Sequence, residues 1–280
     1  MEEEKLNRFF VRYPGFKAKA LTLSYDDGVF QDIKLMEIMN RYGIRGTFNI
    51  NSGSFVDVDY RSPRRRLNEE EAVKLYKNSG HEVAVHGLRH PFFDEQPVGC
   101  VAWEVMKDRE ILERVFGGII RGCAYPMGTY DDEVVETLKH CGIAYARAVR
   151  VTGNFNIPKD WYRLEGTCRN KDPNLMSICD RFLNLQVPYA PKLFYMWGHS
   201  YEFDEDNGWE IIEEFCRKMG GHEDIWYATN IEIHDYLEAA KQLRASADSC
   251  RLYNPSALTI YLKVDKDRYM KLEPGEMADI

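Results

Sequence analysis

Short apolar runs along the chain repeatedly hand over to longer stretches whose apolar positions recur with a helical period. The run at 18–25 leads to a helical pattern at 33–42, and the run at 46–50 to one at 69–78. Alternation of this kind predicts parallel βα units. It continues with a strand at 81–85 and a helix at 98–116, a strand at 120–125 and a helix at 131–140, and a strand at 144–149. A strand around Leu164 with a helix near 174–185, a strand at 193–197 with a helix at 208–219, and a strand at 225–228 with a helix at 231–243 complete the series. Seven or eight such units predict an α/β protein folded as a distorted (β/α)7-8 barrel, TIM-like in plan. Beyond about residue 246 the runs 258–264 and 269–272, separated by a charged turn, predict a short C-terminal β-hairpin extension. The expected organisation is a barrel over 1–245 and a β extension over 246–280 that packs on it.

Composition narrows the class. A 280-residue chain with 44% hydrophobic residues can bury a core without disulfide staples. Its 7 cysteines are odd in number, scattered and without CxxC pairing, which reads as mostly buried, reduced thiols. A net charge of −8 offers no broad attraction to nucleic acid or anionic lipid, so neither is an expected partner, and the basic stretch 61–66 reads as a solvated loop. The start Met1-Glu2-Glu3-Glu4-Lys5 lacks a signal-peptide pattern and no run has the length of a membrane span, so a cytoplasmic location is expected. Nothing in the composition sets an oligomeric state.

The chemistry concentrates at strand ends, where a parallel βα barrel builds its active site. The first strand ends at Asp26-Asp27-Gly28, the third at His86, the strand near 120 at Tyr125-Pro126-Met127-Gly128, and the strand near 193 at Trp197-Gly198-His199. Asp-Asp-Gly is also a common turn sequence, and HxxxH alone is often structural. Their meeting at neighbouring strand ends favours a metal site. On a helical turn, His86 and His90 would project to one side about 6 Å apart along the axis. Two imidazoles and a carboxylate suit Zn2+ and leave room for water and substrate, although Co2+, Ni2+ and Fe2+ accept the same donors.

These residues carry a resemblance. Ser24-Tyr25-Asp26-Asp27-Gly28 resembles the first motif of the polysaccharide deacetylase (NodB-homology, carbohydrate esterase) family, usually Thr-Phe-Asp-Asp-Gly, and His86-Gly87-Leu88-Arg89-His90 resembles the second, His-Ser/Thr-x-x-His. Ala124-Tyr125-Pro126-Met127-Gly128 is similar to the third and Trp197-Gly198-His199 to the fifth, in family order over roughly 18–240. The resemblance implies a divalent-metal hydrolase that removes an acyl group, acetyl above all, from an N-acylated amino sugar, oligosaccharide or polysaccharide. It further implies that Asp27, His86 and His90 hold the metal, that Asp26 is the general base and His199 the general acid, and that the Met127 backbone N–H holds the oxyanion.

Two positions depart from the family pattern. Gly87 stands where the family carries Ser or Thr, so a hydroxyl that would stiffen the loop is missing. Ala124 stands where the family carries the arginine that orients the base; Arg147, near the end of the next strand, is either its replacement or a core-edge ion pair. Asp160-Trp161 only faintly matches the fourth motif. Tyr125, Trp197 and Tyr201 would either stack on a sugar or fill the barrel mouth, and Glu202 and Asp204 either orient His199 or form a solvated loop. His81, His140, His222 and His234 read as structural or surface residues. The diverged third motif keeps a second substrate class open, a small cyclic imide, formamide or other non-sugar amide. A non-catalytic carbohydrate-binding protein is the third reading.

Overall fold

The computed structural model describes residues 9–56, 58–265 and 268–280; the stretch Met1–Lys5 used for the localisation reading lies outside them. After strand β1 (Phe9–Arg12), β2 (Lys19–Asp26) leads to helix α1 (Asp32–Arg41), β3 (Gly46–Ile50) to α2 (Glu69–Tyr76), β4 (Glu82–Val85) to α3 (Val98–Phe116), and β5 (Gly122–Ala124) to α4 (Asp132–His140). β6 (Tyr145–Val151) continues through an irregular crossover to β7 (Leu164–Gly166). Then β8 (Cys168–Arg169) leads to α5 (Leu175–Leu183), β9 (Lys192–Gly198) to α6 (Glu202–Glu205) and α7 (Trp209–Met219), and β10 (Ile225–Tyr227) to α8 (Asn230–Lys241). Five short strands close the chain: β11 (Arg244–Ala245), β12 (Arg251–Tyr253), β13 (Ile260–Val264), β14 (Arg268–Leu272) and β15 (Met277–Asp279).

The central sheet is parallel, in the order β7-β6-β5-β4-β3-β2-β9-β8, with β10 beside the first residues of β2. The two ends of this order, β7 and β8, are separated in the chain by Thr167 alone, whose N–H donates to the Tyr195 carbonyl at 2.7 Å. The sheet therefore curls back on itself as a distorted (β/α) barrel. Among the described residues, no helix is long and apolar enough to cross a membrane.

Strand alternation sorts each barrel strand into two faces. Along β2, Leu21, Leu23 and Tyr25 join the core beneath the surrounding helices, while Thr22, Ser24 and Asp26 occupy the alternate, equally buried positions. Each large apolar side chain on the helix-facing layer contributes about 1.5–3 kcal/mol by burial. The other parity carries polar groups, and these are cross-linked. Thr22 Oγ1 donates to Asn230 Oδ1 at 2.9 Å, Thr47 Oγ1 and Tyr145 Oη to the two oxygens of Glu82 at 2.8 Å, and Asn49 Nδ2 to Ser24 Oγ at 2.9 Å. Buried polar groups persist where they find partners. That hydrogen-bonded column leads to Asp26 at the strand ends.

The expected hairpin is present as β13 and β14, paired from Ile260↔Leu272 to Val264↔Arg268. Strand β1 extends it, pairing Phe9↔Val264 through Arg12↔Tyr261; four residues, Phe-Phe-Val-Arg, carry too little alternation to read as a strand. Ile260, Leu262, Val264 and Leu272 pack with Ile233, Tyr236 and Leu237 of α8. No described residue of 246–280 lines the cavity at the strand ends.

Candidate active site

Asp26 is the last residue of β2, 2% exposed, and Asp27 begins the loop beyond it with a left-handed backbone (φ 85°). The turn sends the two carboxylates to different partners. Asp26 receives Asn49 Nδ2 at 2.8 Å and Arg147 Nη2 on both oxygens. Burial opposes its charge, but Arg147, His86 and His199 outweigh that effect and hold the carboxyl far below the usual range. Asp27 Oδ1 lies 2.9 Å from Arg66 Nη1, yet the contact is too poorly aligned for a hydrogen bond, and this buried oxygen has no hydrogen-bond partner. Its pKa is also lowered: burial raises it, while Arg66 and His86 pull it down further.

The second motif is a bent loop rather than the helical turn its spacing suggested, with Gly87 and His90 at φ 72° and 59°. The loop still brings the imidazoles together, with His86 Nε2 and His90 Nε2 3.1 Å apart, and 3.8 and 3.7 Å from Asp27 Oδ1. His86 Nδ1 donates to the Ala124 carbonyl at 2.9 Å, which makes Nε2 the unprotonated nitrogen, the one that can ligate. Burial pushes the His86 pKa down to about 4, so the ring is neutral, the form that ligates.

The hydroxyl missing at Gly87 does not leave this loop slack. A β-carbon there would meet Pro126 Cγ at 3.1 Å and the Phe93 ring at 3.2 Å. Other side chains fix the loop. Asn51 Nδ2 donates to the carbonyls of His86 and Gly87, the His86 N–H donates to Asp108 Oδ2 at 3.1 Å, and the Arg89 N–H donates to Glu104 Oε2 at 2.9 Å.

On the far side of Asp26, Arg147 is 1% exposed, and its guanidinium lies 4.7 Å from the centroid of the Trp197 ring. Arg169 stands at the same distance from that ring and donates from Nη2 to Glu202 Oε1 at 2.8 Å. Trp197 is thus a 4%-exposed packing element between charged side chains, not an open sugar platform. His199 Nε2 lies 3.8 Å from Asp26 Oδ2 and its Nδ1 3.5 Å from Glu202 Oε1. Burial lowers the His199 pKa, but Glu202 and Asp26 raise it more, and the net shift is upward. Glu202, far from a solvated loop, is buried and held down to about 2: burial works against it and His199 and Arg169 prevail. Asp204 instead receives Gln31 Nε2 and Trp209 Nε1.

The third motif forms a tight turn, Pro126–Gly128, with Met127 left-handed at φ 57°. Its internal bonds come from the Gly128 and Thr129 N–H groups. Tyr125 is stacked on Tyr130 at 4.4 Å and its hydroxyl is committed to the Tyr162 carbonyl at 2.7 Å, so only its ring is left to line the site. Asp26, Asp27, His86, His90 and His199 share one cavity of about 580 Å3 with Tyr125, Met127, Arg147 and Trp197. Asp160-Trp161 lies elsewhere: Asp160 pairs with Arg163, and Trp161 Nε1 donates to Glu238. His81 accepts the Gly46 N–H as a structural residue.

Arg66 overturns the reading of 61–66 as a solvated loop: it reaches Asp27 and donates to Asn51 Oδ1 at 2.8 Å. It gave no local signal. Asn51, Asp108, Glu104 and Arg169 were missed as well, although Asn51 continues the inward parity of Thr47 and Asn49, and Glu104 and Asp108 are carboxylates on the buried face of α3.

Residues 14–146, which contain the Asp-Asp and His-x-x-x-His motifs and the Pro126 turn, match the family model described as polysaccharide deacetylase. The match spans a little under half of the chain. No curated protein matches the chain. Among solved structures, a protein from Mycobacterium smegmatis superposes with a TM-score of 0.58 at 16% identity, covering 83% of this chain and 94% of its own. A family 4 carbohydrate esterase from Streptomyces lividans in complex with acetate gives 0.50 at 14% identity, over 75% and 92%. The likeness establishes the polysaccharide deacetylase fold. The chain spans 55% of the length of the Streptococcus pyogenes deacetylase PplD, with a TM-score of 0.42 at 16% identity over 46% of this chain.

Proposed function

We propose that the chain is a metal-dependent hydrolase that removes an acyl group, acetyl in the first instance, from an N-acylated amino sugar. The observation that carries this reading is the convergence of Asp27, His86 and His90, with ligand atoms all within 4.8 Å of one another, beside an arginine-held carboxylate and a histidine. The donors fit a divalent cation. Asp27 Oδ1 is buried without a hydrogen bond, and two imidazole nitrogens face each other at 3.1 Å, an arrangement that a shared cation relieves. One carboxylate and two imidazoles suit Zn2+ best.

When bound, the cation supplies polarisation of the amide carbonyl and lowers the pKa of a water from 15.7 to about 7. Asp26, kept ionised by Arg147, takes the proton of that water as its oxygen bonds to the amide carbon. The Met127 N–H donates to the carbonyl oxygen as charge builds there. His199 gives the Nε2 proton to the leaving nitrogen while the C–N bond breaks, releasing a free amine and a carboxylate. Glu202 faces the His199 ring from the Nδ1 side at 3.5 Å and favours its protonated form, the part a third residue takes in acid-base pairs of this kind.

The test is acetate release by zinc-loaded protein from N-acetylglucosamine oligomers and peptidoglycan fragments, with cyclic imides and formamides as the comparison. Asp26→Asn is expected to keep its metal and lose turnover. Full turnover in that variant would remove Asp26 as the base, and faster turnover of the small amides would reassign the substrate class.

A further inference from the structure

Four arginines line the cavity, and each has a carboxylate partner. Arg64 Nε pairs with Glu205 at 2.7 Å, Arg66 with Asp27 at 2.9 Å, Arg169 with Glu202 at 2.8 Å, and Arg147 with Asp26. Charge is matched one for one. Arg147 is sealed in the barrel, but the side chains of Arg66 and Arg64, which also line the cavity, are 28% and 55% exposed.

The balance depends on Asp27, which is also the carboxylate suited to a cation. Arg66 spends its hydrogen bonds on the Asp27 carbonyl and on Asn51 Oδ1, giving Asp27 Oδ1 its charge but no hydrogen bond. A divalent ion on that oxygen therefore need not dislodge Arg66. It adds two positive charges beside a guanidinium whose counter-charge it now shares. Arg66 is locked in place, because the Phe30 N–H donates to the Arg65 carbonyl at 2.8 Å and the Leu67 N–H to the Gly28 carbonyl at 2.9 Å, on either side of a Val29↔Arg66 bridge. Next to it, the Arg64 guanidinium lies 4.3 Å from the centroid of the Tyr201 ring. A cleft with surplus charge of one sign selects the opposite sign in its ligand, whatever the net charge of the whole chain.

We propose that Arg64 and Arg66 form an anion subsite, completed when the cation is bound, so that the N-acylated sugar this protein takes carries a carboxylate or a phosphate. The inference rests on the deacylase reading. It assigns Arg64 and Arg66 to recognition of a group on the sugar distinct from the amide.

The deacylated products test it without turnover. Calorimetric titration of the zinc-loaded chain with glucosamine, glucosamine 6-phosphate and muramic acid is expected to show at least tenfold tighter binding of one or both acidic sugars. That preference should shrink several-fold at high salt and in Arg64→Gln, a change at an exposed side chain that spares the fold; Arg66→Gln should abolish it, with zinc content checked in parallel. Tighter binding of muramic acid alone assigns the carboxylate, and of glucosamine 6-phosphate alone the phosphate. Equal binding of neutral and acidic sugars, with acetate still released from N-acetylated sugars, overturns the anion subsite and leaves the deacylase intact. Absence of sugar binding together with absence of acetate release overturns both.

Discussion

Arg147 reaches Asp26 from a strand four places away in the sheet order, so the support of this carboxylate crosses the barrel interior instead of coming from the strand that ends in the third motif. Ala124, on that strand, keeps a role through its backbone, since its carbonyl accepts the His86 Nδ1 proton. The arginine and the site it serves therefore belong to different strands, joined by the buried ion pair with Asp26 and by packing against Trp197.

Replacing Arg147 by Met should lower kcat by about 10²- to 10³-fold, within the range that acid-base groups contribute. It should also cost about 3–5 kcal/mol of stability, because Asp26 would be left as an unpaired buried charge. Arg147→Lys should not restore the rate, since an ammonium loses the planar stacking on the Trp197 ring that places the donor against Asp26. Steady-state rates at equal zinc occupancy, set beside urea midpoints, separate the two effects. A wild-type rate in Arg147→Lys would reduce the residue to a charge partner.

The barrel was legible because buried βα units write their period into the sequence, and the metal donors because they stand at the ends of such units. What escaped detection lies where tertiary packing decides. Arg66 sits in a loop that looks like any basic turn, and only its pairing with residues 28–30 carries it to Asp27. Glu202 reads either as an orienter of His199 or as part of an acidic surface run, Glu202–Glu205, and is settled as a buried partner of His199 because Arg169 arrives from β8, a two-residue strand with no pattern of its own. The aromatic at Trp197 suggested sugar stacking by residue type alone; two neighbouring guanidiniums, invisible to local reading, occupy it instead.

Metal binding and stability should be linked through the three donors. His86→Ala and Asp27→Ala are expected to abolish stoichiometric zinc binding, measured by elemental analysis after dialysis. In the parent protein, zinc at a hundred times its Kd should add about 2.7 kcal/mol to the unfolding free energy, with chelation reversing it. A zinc-independent thermal midpoint would argue against a cation at Asp27, His86 and His90.

Glu82 should give the fold a pH dependence independent of the site. Burial is the largest influence on its carboxyl, and Glu232 adds to it, raising the pKa from 4.5 to about 7 against hydrogen bonds from the Ile231 N–H, Thr47 and Tyr145. The folded state therefore binds more protons than the unfolded state between these values, and stability falls as pH rises through the window from 4.5 to 7. The full loss is about 3 kcal/mol above pH 7. Glu82→Gln, which keeps the shape without the charge, should gain on the parent by about that amount between pH 5 and pH 8 in urea unfolding. A constant difference across that range would show that Glu82 does not titrate with a raised pKa.

Gly53 tests whether the histidine loop is held by backbone packing rather than by the missing hydroxyl. Its N–H donates to the Leu88 carbonyl at 3.0 Å, and a β-carbon at this position would fall 2.3 Å from the same oxygen, a backbone atom that cannot rotate away. Gly53→Ala must therefore push the loop between His86 and His90 outward. Overpacking of this kind costs about 1–3 kcal/mol, and the displaced loop should also separate the two imidazoles. Zinc affinity is expected to drop at least tenfold in a variant that changes no ligand, whereas Gly99→Ala, where an added carbon meets nothing within 4 Å, should leave it unchanged. Equal zinc affinity in the two variants would mean that the loop re-forms around a bound cation, and that Asn51, Asp108 and Glu104 tolerate its movement.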